Sequence, residues 1–175
     1  MTKTSKLMQR GFVSGFTMID MIHERVHNGQ IFSVGLANAA LADDSTIEIL
    51  VTVVDGLHLR ARVSTGGDAL VSFFEDTVTS DDGTALGVIN LNRFSTNVPT
   101  TTFFSGPTTT DDGDLLIESY IVGGEKKQAV GGSGGTFEEW VLSPGNYLIR
   151  LQNLAGTAQI CQIAIDFYEP DPATV

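Results

Sequence analysis

The chain has one cysteine, one tryptophan, few charges and no long apolar run. Each shortage excludes something. A single thiol, Cys161, leaves no partner for an intrachain disulfide. It lies in "QICQIAIDFYE" on the strand face of Ile163, Ile165 and Phe167, which makes it a buried core thiol rather than a nucleophile. No stretch approaches the roughly 18 apolar residues of a spanning helix. The first thirty residues lack the unbroken apolar segment and small-residue cleavage site of a secretory signal, so none is predicted. The expectation is a soluble chain that folds in a reducing compartment or is indifferent to redox state.

Chemical motifs are scarce too. No Walker loop or dinucleotide fingerprint is present, and no serine occupies a Gly-x-Ser-x-Gly elbow between a strand and a helix. "GGSGG" (131–135) matches that motif in composition alone and reads as linker. "HERVH" (23–27) places His23 and His27 four apart around Glu24, a metal-binding pattern without a convincing third ligand. His58 stands among outward strand residues with no evident partner. The turns "DDG" (81–83) and "DDGD" (111–114) offer carboxylates that calcium accepts, but Asp and Gly are also what turns require, and neither stretch has EF-hand spacing. The reading is of a non-enzymatic protein with no cofactor and no metal.

Charge is unevenly spread. The net charge is −11 with 21 acidic and 10 basic residues. Residues 1–30 carry Lys3, Lys6, Arg10 and Arg25 against Asp20 and Glu24, a balance of +2, and the remainder stands at −13. So acidic a body repels nucleic acid and anionic membranes, and neither is an expected partner. The basic lead segment fits an acidic protein surface, or else a solvated terminus.

What is abundant is two-residue periodicity. "TIEILVTVV" (46–54) puts Ile47, Ile49, Val51 and Val53 on one side and Thr46, Glu48 and Thr52 on the other. "LHLRARV" (57–63) turns Leu57, Leu59, Ala61 and Val63 inward and His58, Arg60 and Arg62 outward. Asp55-Gly56 between them predicts a two-residue hairpin. Further strands are predicted over 69–75, 88–94, 115–122, 136–142, 146–152 and 159–168. "SPGN" (143–146) and "LAGTA" (154–158) are the turns flanking 146–152. Eight or nine strands argue for an all-β antiparallel sandwich over residues 31–170, followed by a short tail, 171–175.

Three stretches break this pattern. Residues 95–114 read as a long Thr-rich loop whose Phe103-Phe104 pair either anchors on a neighbour or folds back onto its own sandwich. Residues 123–135 hold six glycines and read as flexible or tightly turned. Residues 1–30 form an arm with a possible short helix over 18–27, capped by Thr17. Its apolar content, Phe12, Val13, Phe16, Met18, Ile19, Met21 and Ile22, demands a cover. The candidate protein-interface residues are therefore Arg10, Phe12, Phe16, Met18, Arg25, Phe103 and Phe104.

"HNGQIFSVG" (27–35), "VSFFEDTVTSDDGTALGVINLNRFS" (71–95) and "EEWVLSPGNYLIRLQNLAG…IDFYE" (138–169) resemble a family of tailed-bacteriophage virion proteins. These are small β-sandwiches of structural type. The likeness runs from about residue 23 to 169, and "FYE" departs from a more usual Trp-Tyr-Glu ending. The resemblance implies a jelly-roll-like sandwich on the capsid surface, made in the host cytoplasm. It would act as a decoration or cement protein, commonly a homotrimer, with the major capsid protein and itself as partners. The open alternatives are a tail, baseplate or fibre-associated subunit, or a carbohydrate-binding jelly-roll module using Trp140, Tyr120 and Tyr168.

Overall fold

The computed structural model describes residues 21–123, 134–136 and 139–170. It is an all-β sandwich of antiparallel sheets and, among the described residues, has one short helix, α1 (Met21–His27). The strands are β1 (Phe32–Leu41), β2 (Thr46–Val53), β3 (Leu57–Thr65), β4 (Ala69–Glu75), β5 (Val78–Asp81), β6 (Thr84–Ala85) and β7 (Ile89–Asn90). They continue with β8 (Thr102–Ser105), β9 (Thr108–Asp111), β10 (Asp114–Ile121), β11 (Gly134–Thr136), β12 (Trp140–Leu142), β13 (Gly145–Asn153) and β14 (Gln159–Tyr168). The first sheet runs β11-β3-β14-β1-β7, with β12 also on β3. The second runs β10-β4-β13-β2-β8-β6, and β5 pairs with β9 in a separate ribbon.

The predicted parity is what fills the core. Ile47, Ile49, Val51 and Val53 face Leu57, Leu59, Ala61 and Val63 across the two layers, all buried, with Cys161, Ile163, Ile165 and Phe167 beside them. Asp55-Gly56, however, is not a hairpin. β2 lies in the second sheet and β3 in the first, so the chain arches from one layer to the other. A two-residue hairpin sets the flanking residues Val54 and Leu57 opposite each other on one face. Here Val54 is exposed and Leu57 fully buried. Three connecting residues between Val53 and Leu57 let both strands present their apolar rows to a single core. Gly56 takes φ +124° in the arch, a conformation L side chains rarely adopt, with Pro170 against it. The turns before and after β13 also cross between layers.

Residues 76–113 depart furthest from expectation. The span 95–114, expected as loop, contains β8 and β9, where β-branched threonines suit extended backbone. The strand expected over 88–94 shrinks to β7. Asn90 and Asn92 accept hydrogen bonds from the backbone N–H two residues on, at 2.9 and 3.1 Å, which turns the chain away. The excursion leaves β4 through Asp76, whose positive φ an aspartate tolerates. It leaves as β5 and returns as β9, the two pairing in a ribbon, and Asp112 just beyond β9 reaches the outer face of the second sheet at Arg150.

That outer face carries a second apolar row. Leu115, Phe74, Leu148, Leu50, Phe104 and Ala85 are successive cross-strand partners over six strands. Leu50 and Leu148 point away from the core yet are fully buried. The next row is polar, and its centre is Arg150. Its guanidinium bonds Glu48 on β2 and grips Asp112 of the excursion through two bonds of 2.6 and 2.7 Å. Arg150 also lies 5.3 Å over the Phe74 ring. The fork pins the excursion across the sheet. Hydrogen bonding to Arg150, partly offset by burial, holds the pKa of Asp112 below the usual carboxylate value.

We expect Leu50→Ala to cost about 2–5 kcal/mol, as a core truncation would, although the residue sits on the outward face of its strand. Denaturant unfolding reads this directly. A loss under ~0.5 kcal/mol would mean the outer row is not sealed.

Candidate functional site

The stretches that carry the family resemblance meet at one corner of the sandwich, on the outer side of the first sheet. α1 ends there in a Schellman arrangement. Gln30 N–H donates to the Arg25 carbonyl at 2.9 Å and Gly29 N–H to the Val26 carbonyl at 3.0 Å. Gly29 takes φ +67°, and a Cβ there would lie 2.2 Å from the Ser95 hydroxyl, so the helix cap and the 90–97 loop interlock. A helix leaves its last carbonyls without intrahelical donors. Asparagine side chains from the distant loop supply the His27 carbonyl and that of Gly29 just beyond the helix. Asn92 Nδ2 donates to the His27 carbonyl at 2.7 Å, Asn90 Nδ2 to Gly29 at 2.9 Å, and Asn97 Nδ2 to Gly29 at 3.2 Å.

The far end of the loop is fastened by the C-terminal strand. One carboxylate oxygen of Glu169 accepts from the N–H and hydroxyl of Thr100, each at 2.8 Å, and from Thr101 N–H at 2.7 Å. Between these fastenings the loop holds its apolar residues in water. Phe94 is 99% exposed and Val98 83%. The backbone is fixed while the Phe94 ring stays in water. The sequence hid this because "INLNRFS" looks like a strand.

Beside the loop, a groove of about 130 Å³ lies under α1, lined by Ile22, Ile31 and Leu91 and by a polar cluster. Tyr168 OH donates to Glu139 Oε1 at 2.6 Å. His58 Nδ1 lies 2.8 Å from that oxygen and 2.7 Å from the phenol oxygen. A carboxylate only accepts, so Nδ1 carries its hydrogen. Arg60 reaches the other Glu139 oxygen at 3.2 Å, and Arg62 pairs with Asp166 at 2.7 Å. His58, expected without a partner, thus has two, contributed from positions 139 and 168. Hydrogen bonds from Tyr168 and His58 hold Glu139 below its ordinary value, and burial followed by Glu139 pushes the Tyr168 phenol up to about 12.

Other expected residues fall as follows. Arg25 is stacked over Tyr168, 4.0 Å from the ring centroid, a cation–π contact that fastens α1 to the sheet. His58 stacks on the same ring at 4.3 Å. Trp140 packs edge-on against Phe73 at 5.4 Å and lies partly buried against the core. Tyr120 is 68% exposed. Phe103 is a correction: strand parity turns it into the core, 1% exposed, where its ring lies 4.7 Å from Phe167. Phe104 is half-buried in the outer apolar row, so the pair has folded back onto its own sandwich. Arg10, Phe12, Phe16 and Met18 lie outside the described residues.

The Nε2 atoms of His23 and His27 approach to 3.1 Å on the exposed side of α1. Among the described residues no three His, Cys, Asp or Glu side chains are grouped to hold a metal ion. The acidic turns close on themselves: Asp81 accepts from Gly83 N–H, Asp111 from Gly113 N–H, and Asp82 from the Thr79 hydroxyl. No family model matches the chain, and no curated protein matches it.

Two outcomes follow from the corner. Spectrophotometric titration should show one tyrosine ionising near pH 12, absent in Tyr168→Phe. Stability tied to that phenol is complete below pH 10, its unfolded value, and is lost as pH rises through about 12. The Glu139 contribution runs the other way, complete above its unfolded value of 4.5 and lost as pH falls further. Asn92→Ala should cost about 1–2 kcal/mol and speed hydrogen exchange in residues 92–98, with the strands unchanged. Unaltered exchange there would show that Asn92 does not hold the loop.

Proposed function

We propose that the chain is a non-enzymatic structural protein of a tailed-phage virion. It binds the outer capsid surface as a decoration or cement protein, with the major capsid protein and further copies of itself, as a trimer, for partners. One observation carries this reading: a fully exposed phenylalanine, Phe94, held out on a loop fastened at both ends. Exposed aromatics on rigid supports are what protein interfaces use as anchors, because little side-chain or backbone freedom remains to be lost on binding.

Two further features support it. The residues that resemble the phage family are spent on holding this loop: Gly29 at the helix cap, Asn90 and Asn92 on the helix carbonyls, and Glu169 on Thr100 and Thr101. The polar groups of the groove are paired with one another, Glu139 with three neighbours and Asp166 with Arg62. Strand order supports the jelly-roll part of this reading. Taking β11 and β12 together, the eight principal strands form sheets of order 1-8-3-6 and 2-7-4-5, which we read as a jelly roll.

The test is binding to purified heads of the parent phage stripped of this protein. The wild-type chain should bind and raise the temperature at which heads open. Phe94→Ala should bind at least about tenfold more weakly, a loss above 1.4 kcal/mol, with no change in its own unfolding midpoint. Equal binding by the two chains, or binding by neither, would overturn the proposal.

A further inference from the structure

We infer that β10 is an open docking edge, and that its occupant is residues 10–18 of a neighbouring copy, added to the second sheet as a further strand. The inference does not depend on the virion reading. Among the described residues β10 pairs on one side only, with β4, and so ends the sheet. At the other ends, β8 and the two-residue β6 continue past β2, while β7 pairs with β1 only at Phe32 and Ser33 and leaves the rest of β1 as an uncharged edge, without the acidic residues of β10. The terminal strands β6, β7, β11 and β12 have two or three residues and the ribbon strands β5 and β9 four, whereas β10 has eight.

Proteins blunt such an edge with Lys, Pro or extreme shortness, because its unpaired N–H and C=O groups recruit other chains. β10, "DLLIESYI", contains neither Lys nor Pro. It shows apolar surface instead: Leu115 is 52% exposed, Tyr120 68%, and Val122 just beyond it 79%. Its exposed charges are acidic, Asp114 and Glu118, and Asp76 lies near its start.

Residues 10–18, "RGFVSGFTM", complement it in three ways. Phe12, Phe16 and Met18 fall on one strand face with Val13 on the other, as β10 is apolar on both its faces. Nine residues match eight in length. Arg10, with Lys3 and Lys6 upstream, brings positive charge to an acidic edge.

Reach decides which copy donates. Arg25 on Tyr168 holds α1 against the outer face of the first sheet, while β10 edges the second. The layers lie about 10 Å apart, and a helix stands off by about half its 10–12 Å diameter. From Met18 to Met21 the chain spans at most about 11 Å. A segment ending at Met18 on β10 therefore starts from another molecule, which is arm exchange between copies.

The experiment compares hydrogen exchange and sedimentation of the full chain, a chain lacking residues 1–19, and Val13→Pro, which cannot complete the added strand. The full chain should associate, and amides of residues 114–121 should exchange at least tenfold more slowly than in either variant. Protection of β13 should be equal in all three, which shows that the sandwich is intact. Equal exchange of β10 in all three would overturn the inference. So would an associated truncated chain with β10 still protected, since β10 would then pair with its own copy. A monomeric full chain with β10 protected would overturn the exchange, placing the segment on its own sandwich.

Discussion

Leu50 and Leu148 face the wrong way for a two-layer sandwich and are nevertheless sealed from water. Everything distinctive in the molecule answers that constraint. β2 and β13 are the middle strands of their sheet and are apolar on both faces, so one facing sheet cannot bury them. A cover is required on the outer face as well, and the excursion reaches that face at Asp112, just past β9. Arg150 ties it there by bridging Glu48 on β2 and Asp112. An arginine suits the task because its planar fork satisfies two carboxylates at once, and because no accessible pH discharges it.

From there the chain has a course to follow. After β5 it passes along the edge of the second sheet at β6, crosses to the edge of the first sheet at β7, and returns as β8 between β6 and β2. At β7 it arrives where α1 ends with carbonyls in need of donors. Three asparagines meet that need, and the loop acquires a fixed shape through no core of its own. In proteins that work by contact, a rigid support of this kind keeps the ordering cost of binding low.

The acidic composition is handled locally rather than by the fold as a whole. Arg60, Arg62 and Arg150 each pair with at least one carboxylate, while Arg25 is placed over an aromatic ring. The body keeps a large negative field with few compensating charges left over. Such a field favours a basic partner segment and discourages undirected association between bodies. The basic residues outside the described regions, Lys3, Lys6 and Arg10 among them, have the matching sign.

Much of the fold was legible because strand periodicity is local: alternate positions of 47–53, 57–63 and 161–167 had to share a core, and do. Cys161 was placed in the core by the same parity. The pairing of those strands was not legible, since Asp55-Gly56 suits a hairpin and an arch equally, and only the parity of Val54 and Leu57 distinguishes the two. Leu50 and Leu148 left a faint trace, three consecutive apolar residues in 49–51 and 147–149, but not what would cover them. The corner was legible as residues and not as a site. Asn92 and His27, or His58, Glu139 and Tyr168, are far apart in sequence, and no period relates them. Local chemistry determined which side chains each strand turns inward. Which layer each strand joins, and which loop residue is left in water, was decided by the tertiary structure, because it depends on burying faces that distant segments alone can reach.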